Sequence, residues 1–451
     1  VYKRQLQNMS RGEDNVAPAT YAQIKAEAQF LRALYYSYLI ELYGDVPLIT
    51  DVLTLETGQQ PRTPKSEVVD FILKEYTEAA ENLPSTNNPT SGRATKGAAL
   101  ALKARTALYN ERWQDAISAS QAVIAMEGTE YIIEDDYSKL FKYEGQTSKE
   151  VIFSVQYLLG TKVHALYRLF GSRNALAHTN KKPAYQLADT WECIDGKQID
   201  KSPMFDPKHP YENRDPRLGY TLAVSGSEFL GFQFETHGDS TKCWNYMTNQ
   251  RVDNLEATHA YATFTGICWR KYANIEDKDA LNDCDMNTIL IRYPEVLLTY
   301  AEAKIKAGEI DASVLEAINK VRQRPSVKMP PITTTDPNEL FYAVARERKY
   351  EFSGEGLRLF DIRRWKIAET VMNQPLLGRM KKSYPDKAPR IDEWGTAFYE
   401  GIPIAESGES ADFKMRVVDI RKFDKNRDYL WPIPYIERQT NPNLTQNPNY
   451  E

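Results

Sequence analysis

The stretch Ala26-Glu27-Ala28-Gln29-Phe30-Leu31-Arg32-Ala33, running on to Leu42-Tyr43-Gly44-Asp45-Val46-Pro47-Leu48, decides the class of fold. Ile24, Ala28, Leu31, Tyr35, Tyr38 and Leu42 recur at helical spacing and predict one wide apolar face. Gly44 ends such a helix, and Pro47 keeps it from resuming. Thr63-Pro64 then reads as an N-cap with proline at the first helical position. The helix it opens carries Val68, Val69, Ile72, Leu73, Tyr76 and Ala80 on one side, and Pro84 marks its end.

Helix pairs follow. Ala98, Ala101, Ala104 and Ala107 form a small-residue face that lets a neighbour approach closely. A break at Asn110-Glu111-Arg112 leads to a second helix through Trp113, Ala116, Ile117, Ser120 and Ile124, and the two resemble one tetratricopeptide unit. A similar unit starts at Tyr293, with Val296, Tyr300, Ala303 and Ala307 on one face, Gly308 at its end and Asp311 capping the next helix through Val321. Asp336-Pro337-Asn338-Glu339 reads as a capping box opening a third helix that runs to Gly354.

Between the helical parts the pattern changes. Val151–Val155, Gly219–Val224 and Ile267–Tyr272 are short β-rich runs separated by Gly, Pro, Asn and Asp. The expected fold is mainly α, a tetratricopeptide-like helix-pair scaffold with a long loop- and β-rich insertion. It divides into a helical part at 20–130, the variable insertion at 131–290, a second helical part at 291–368 and a loop-rich region at 369–451. Helices from both ends build one scaffold, so 1–451 reads as a single interwoven domain. Function is expected on the loops.

Composition excludes more than it selects. A net charge of −5 gives no basic surface for nucleic acid. No run of eighteen apolar residues is present to span a membrane. Cys193, Cys243, Cys268 and Cys284 have neither CxxC spacing nor histidine partners, so no zinc site is expected. Ser353 lacks the first glycine of a nucleophile elbow, and Gly92–Gly97 lacks the lysine and hydroxyl of a phosphate loop. His164, His178, His209, His237 and His259 are scattered. Asp277, Asp279, Asp283 and Asp285 lack EF-hand spacing and read as a solvated acidic loop. No cofactor is implied.

Two carboxylates facing a cleft would suffice for glycoside hydrolysis. Glu347, Glu351 and Glu355 share one helix side, but Arg346, Arg348, Arg358, Arg363 and Arg364 stand close in sequence. A structural Arg–carboxylate network is the simpler reading. Aromatic residues are plentiful, with 28 Tyr, 7 Trp and 16 Phe, and most serve as packing. The candidates for stacking on a ligand are Phe232 beside a Gly-flanked turn, Trp244 and Tyr246 two apart around Asn245, and the cluster holding Trp394 and Tyr399. In a strand, Trp244 and Tyr246 would face the same way and form one platform. Trp269, in a β-rich run beside Lys271-Tyr272, is expected to be buried.

The order of several blocks resembles the SusD/RagB family. These are the two N-terminal stretches quoted first, Arg214-Asp215-Pro216-Arg217-Leu218, Ile291–Leu298, Ile318–Arg324, Arg346–Phe352, Arg358–Trp365, Leu430-Trp431-Pro432-Ile433-Pro434 and Asn441–Tyr450. Gln29 and Asn449 stand where the family pattern has Arg and Gly. The resemblance implies a surface lipoprotein of a Bacteroidota-type outer membrane, which captures a glycan and hands it to a SusC-like TonB-dependent transporter without breaking bonds. The chain starts at Val1, and the family's lipid anchor and signal peptide are expected ahead of it. A peptide-capturing RagB-like protein and, more distantly, a glycoside hydrolase are the alternatives. Binding loops vary within the family, so the site residues above come from the aromatic argument alone.

Overall fold

A computed structural model describes residues 16–450. It is mainly helical, with small sheets inserted between helices. Helix α1 spans Pro18–Tyr43, α2 Lys65–Asn82, α3 Lys96–Tyr109 and α4 Trp113–Ile124. After the insertion come α5 Tyr293–Ala307, α6 Ala312–Arg322 and α7 Pro337–Phe352. Helix α1 packs on α2, α2 on α3 and α3 on α4, while α5 lies against α3, α4, α6 and α7. One apolar cluster therefore draws on both helical parts, from Phe30, Ile72 and Leu102 to Leu298, Ile318 and Val344.

The alanine face of α3 performs the expected task, with Ala98, Ala101, Ala104 and Ala107 all buried at close helix contacts. Helix α1 differs from its predicted face. Ile24 and Tyr35 are exposed, and the buried line runs through Ala26, Phe30, Ala33, Tyr36 and Ile40. Apolar residues occur on more than one side of this helix, so spacing alone does not single out the side that meets α2. Gln29 lies on the buried side and donates to Glu75 and Glu78 of α2.

Caps also depart in detail. Pro64 precedes the first helical residue of α2, and Thr63 pairs with Val46 as a β-bridge. The cap comes from across the turn, where Asp45 accepts from the Lys65 N–H at 2.8 Å. Asp336 accepts from the N–H groups of Asn338 and Glu339, but Glu339 takes its bond from Thr334 and does not close the box. Asp311 caps α6 through Ser313, and Gly308 turns left-handed at φ +75° to end α5.

Strand β1, Val151–Val155, leaves the first helical part. The four short strands β2 (Glu228–Phe229), β3 (Phe232–Gln233), β4 (Lys242–Asn245) and β5 (Gln250–Asp253) form an antiparallel meander. Strand β6, Thr288–Arg292, pairs antiparallel with β1 and runs directly into α5. The β1–β6 pair thus closes the neck of the segment that carries the meander. Leu222–Ala223 pairs with Cys268–Trp269, where the sequence suggested longer runs, because Arg217–Thr221 is a helical turn. No described helix is long and apolar enough to cross a membrane.

Candidate functional site

The meander places most of the predicted binding residues. Its first hairpin turns at Leu230-Gly231, both with positive φ (52° and 80°), a geometry that suits the right-handed strand twist. Phe232 pairs with Asn245, so the second turn, at residues 246–249, lies at the same end of the sheet as the first.

Asn245 is 8% exposed, and its side-chain oxygen accepts from the Met247 and Thr248 N–H groups at 3.0 and 3.2 Å. It shapes the turn, and its amide oxygen is taken, which corrects its assignment to ligand hydroxyls. Tyr246 lies beyond the last residue of β4 and is 46% exposed. Its N–H donates to Gly231, tying the two turns together. Trp244 is half-buried within β4. The two-residue rule holds only inside a strand, so the shared Trp244–Tyr246 platform is not formed: the cleft at this end is walled by Tyr246 but not by Trp244. Phe232 is half-buried against Phe229, Phe234 and Tyr167 and belongs to the local core, not to a stacking surface.

The cleft beside Tyr246 has a volume of about 840 Å³. Its apolar wall comes from Phe141, Tyr220, Phe229, Met247 and Ile275, and its polar groups from Ser138, Glu228, Arg270, Asn274 and Glu276. Arg270 lies under the Phe229 ring, 5.4 Å from its centroid, and donates to Ser227 at 3.2 Å. Burial lowers the pKa of this guanidinium, against the pull of Glu228, and its Nε is buried without a partner. Lys271, beside it, is buried and donates to Glu355 at 2.7 Å. Burial pushes its ammonium down to about 8 despite that carboxylate. An aromatic ring, a thioether and a few convergent polar groups around one concavity fit a small polar ligand with an apolar face. Arg270, Met247 and Ile275 had no sequence signal, since each needs the fold to bring it beside Tyr246.

The remaining two predicted residues lie elsewhere. Tyr399 is 8% exposed and donates its hydroxyl to Asp189 at 2.5 Å. Burial raises the Asp189 carboxyl to about 6. Tyr399 is therefore a core residue and not a ligand contact. Trp394 is half-buried, with Phe341, Tyr342 and Trp365 centred 5.5, 5.0 and 5.6 Å from its ring. What remains of it lines a crevice of about 320 Å³ with Trp113, Trp365, Glu302 and Lys306. Trp269 is half-buried in a cluster with Trp191 and Tyr350. Asp277 departs from the solvated reading: it is buried and accepts from the Tyr143 hydroxyl at 2.6 Å.

Glu347 and Glu351 share one side of α7, whereas Glu355 lies beyond the helix end at Phe352 and not on that side as the spacing predicts; all three are engaged by buried cations. Arg217 binds Asp215, Glu347 and Glu351; Arg324 binds Glu150 and Glu351; Arg292 binds Glu150, Glu351 and Glu355. Arg322 bridges Glu347 to Glu192. Burial alone would push the Glu351 carboxyl up, but Arg324, Arg292 and Arg217 outweigh it and hold it well below the usual range. The network exists as expected, with other partners. The neighbouring Arg348 and Arg364 turn to Asp361 and Glu302 instead. Arg348 lies off the Glu351 side of α7 and Arg364 on a separate short helix, Arg358–Arg364, while α6 and the residues after it, β6 and the Asp215–Arg217 turn supply the arginines that face Glu347 and Glu351.

Comparison with known proteins fits this architecture. Residues 149–450 match the model of the SusD family, and residues 4–108 match a model described as "Starch-binding associating with outer membrane". A SusD-like protein P2 of Formosa agariphila is 26% identical, over 95% of this chain and 74% of its own length. The crystal structure of a SusD-like carbohydrate binding protein from Bacteroides fragilis superposes with a TM-score of 0.81 at 31% identity, covering 98% of this chain and 83% of that one. A laminarin binding SusD-like protein shares the fold at a TM-score of 0.64 and 20% identity, covering 98% and 82% of the two chains. With well over half its length matched by the family model, and with the scaffold described above, the chain belongs to the SusD family.

Proposed function

We propose that this chain captures a glycan in the cleft beside Tyr246 and delivers it to a TonB-dependent transporter at the outer membrane, without cleaving it. The observation that carries the reading is a tyrosine ring, 46% exposed, on the wall of a cleft of about 840 Å³ that also holds Arg270, Glu228 and Asn274. A pyranose offers CH groups to such a ring and hydroxyls to such polar neighbours. The carbohydrate-binding and laminarin-binding relatives support a glycan ligand, and the outer-membrane description of the N-terminal match supports the location. Capture without hydrolysis is supported by the engagement of Glu347, Glu351 and Glu355 in guanidinium pairs. Trp244 and Trp394 are kept as secondary contacts, on strand β4 and in the helical crevice.

The test is native electrophoresis through gels containing a panel of polysaccharides, with a reducing-end assay on the same mixtures. Retardation in at least one gel with no reducing ends released is expected. Release of new ends by the pure chain, or normal mobility in every gel, would overturn the reading.

A further inference from the structure

A second cavity lies at the opposite end of the meander, where the segment between β3 and β4 meets the chain that leaves β5. It measures about 310 Å³. Its walls are polar and cationic, unlike those of the cleft at Tyr246. Phe264 carries two cations on its ring: the Lys182 ammonium at 4.4 Å and the Arg416 guanidinium at 4.3 Å from the centroid. Lys381 stands exposed on the same wall, and Arg379 forms part of the floor.

Arg379 is 4% exposed, and no described acidic side chain pairs with it. Its Nε donates to the Met380 carbonyl, and its Nη1 to Ser225 and Thr236 at 3.0 and 2.8 Å. Its Nη2 is buried with no partner. The guanidiniums around α7 are each matched to a carboxylate. Among the described residues, Lys182, Lys381 and Arg416 likewise have no acidic side chain within ion-pair distance. One buried acid, Glu256, lines the cavity, the half-buried Glu235 lies next to it, and both are taken. Glu256 accepts from the Arg173 and Thr263 N–H groups, and Glu235 from the His237 N–H and the Ser225 hydroxyl. Asp239 and Asp412 outside it share Lys382.

Holding like charges together costs free energy unless an anion completes the group. The Lys182 ammonium at the Phe264 ring is lowered in pKa by burial first and by Arg173 and Arg416, against the opposing pull of Cys268 and Glu256. The whole chain carries a net charge of −5, so the cluster runs against the protein's average. A planar guanidinium with free N–H groups suits a carboxylate or a sulfate better than a neutral hydroxyl.

We infer that this cavity is an anion subsite and that the captured glycan is acidic, bearing uronate carboxylates or sulfate esters that sit against Arg416 and Lys381 above the Arg379 floor. The inference rests on the glycan reading above and narrows it to a substrate class. Neutral glucans lack the group this cavity is built to take.

The test is retardation in gels containing polygalacturonate, a sulfated carrageenan or neutral laminarin, each at low and moderate salt. The variants are Lys381→Met with Arg416→Gln, both on the cavity wall, and a control, Lys208→Met with Lys278→Met, which removes equal charge from exposed sites. Thermal melts establish that each variant is folded. Retardation in one of the two acidic gels, weakened at least tenfold in the cavity variant and unchanged in the control, is expected; which gel it is distinguishes carboxylate from sulfate. Equal weakening in both variants would mean general polyanion attraction and overturns the inference. So does an unaffected cavity variant. Retardation by laminarin alone overturns the acidic ligand while leaving glycan capture standing, and normal mobility in all three gels removes both.

Discussion

The backbone N–H of Trp431 donates to the carbonyl of Leu42 at 2.7 Å, so the last part of the chain closes on the end of its first described helix. The Tyr43 and Trp431 rings meet edge to face, 6.2 Å apart. Asn447 completes the joint: its amide donates to the Tyr43 and Trp431 carbonyls at 3.0 and 2.7 Å and accepts from Arg62 at 2.6 Å. The positive φ of Gly44, 72°, lets the chain turn away after α1 and leaves that carbonyl open to the C-terminal segment.

Asn447→Ala is therefore expected to leave the Trp431 carbonyl without its partner and to remove one bond each from the Tyr43 carbonyl and the Arg62 guanidinium, which still pair with each other, at a site 3% exposed. Unsatisfied buried groups of this kind cost about 1–3 kcal/mol. Urea unfolding should show a lower midpoint, and limited proteolysis should first release the segment after residue 430. An unchanged midpoint would mean the joint is not part of the cooperative fold.

Glu351→Gln tests the central ion network. The carboxylate meets Arg292 at 2.5 Å, Arg324 at 2.7 Å and Arg217 at 3.0 Å, all of them buried. Removing one member of a buried pair leaves uncompensated charge and costs about 3–5 kcal/mol. Chemical denaturation of the variant should show a loss of that order. A loss below about 1 kcal/mol would contradict the network's structural role.

The same network sets a pH dependence. Burial opposes ionisation of Glu351, Glu355 and Asp361, but neighbouring Arg and Lys side chains hold all three pKa values below normal. Between the folded and unfolded pKa values the unfolded chain binds more protons, so stability rises with pH there. Their contribution is complete above the ordinary glutamate value of 4.5 and is lost as pH falls below it. The share of Tm that these three carboxylates set should be flat from neutral pH to about 5 and then drop. Glu351→Gln should flatten that drop. An equal acid slope in both proteins would assign the transition to other groups.

How much of this was legible in the sequence differs between scaffold and site. Val68, Ile72 and Tyr76 are buried along one side of α2, and Asp311 caps α6, as local pattern requires, because both depend on neighbours a few residues away. Spacing does not single out the covered side of α1, because Ile24 and Tyr35 present large side chains as Phe30 does, and packing against α2 decides which side is buried. Asn449 takes a left-handed φ of +64°, which explains a glycine at that place in the family pattern and the tolerance of asparagine here. The site was harder. Tyr399 and Tyr246 are both tyrosines among polar residues, yet Asp189, 210 positions away, buries one, and a β-turn exposes the other. The arginines facing Glu351 come from residues 217, 292 and 324, which no local pattern joins to α7.

The most direct measurement is the dissociation constant for whichever polysaccharide retards the chain, compared among the native protein, Tyr246→Ala and Trp394→Ala. If the cleft beside Tyr246 is the capture site, Tyr246→Ala weakens binding about tenfold or more, equivalent to about 1.4 kcal/mol, while melting as the native protein does. Trp394→Ala, in the crevice between helices, then has the smaller effect on binding. Full binding by Tyr246→Ala together with loss in Trp394→Ala would contradict the assignment and move the capture site to the crevice lined by Trp113, Trp365 and Trp394.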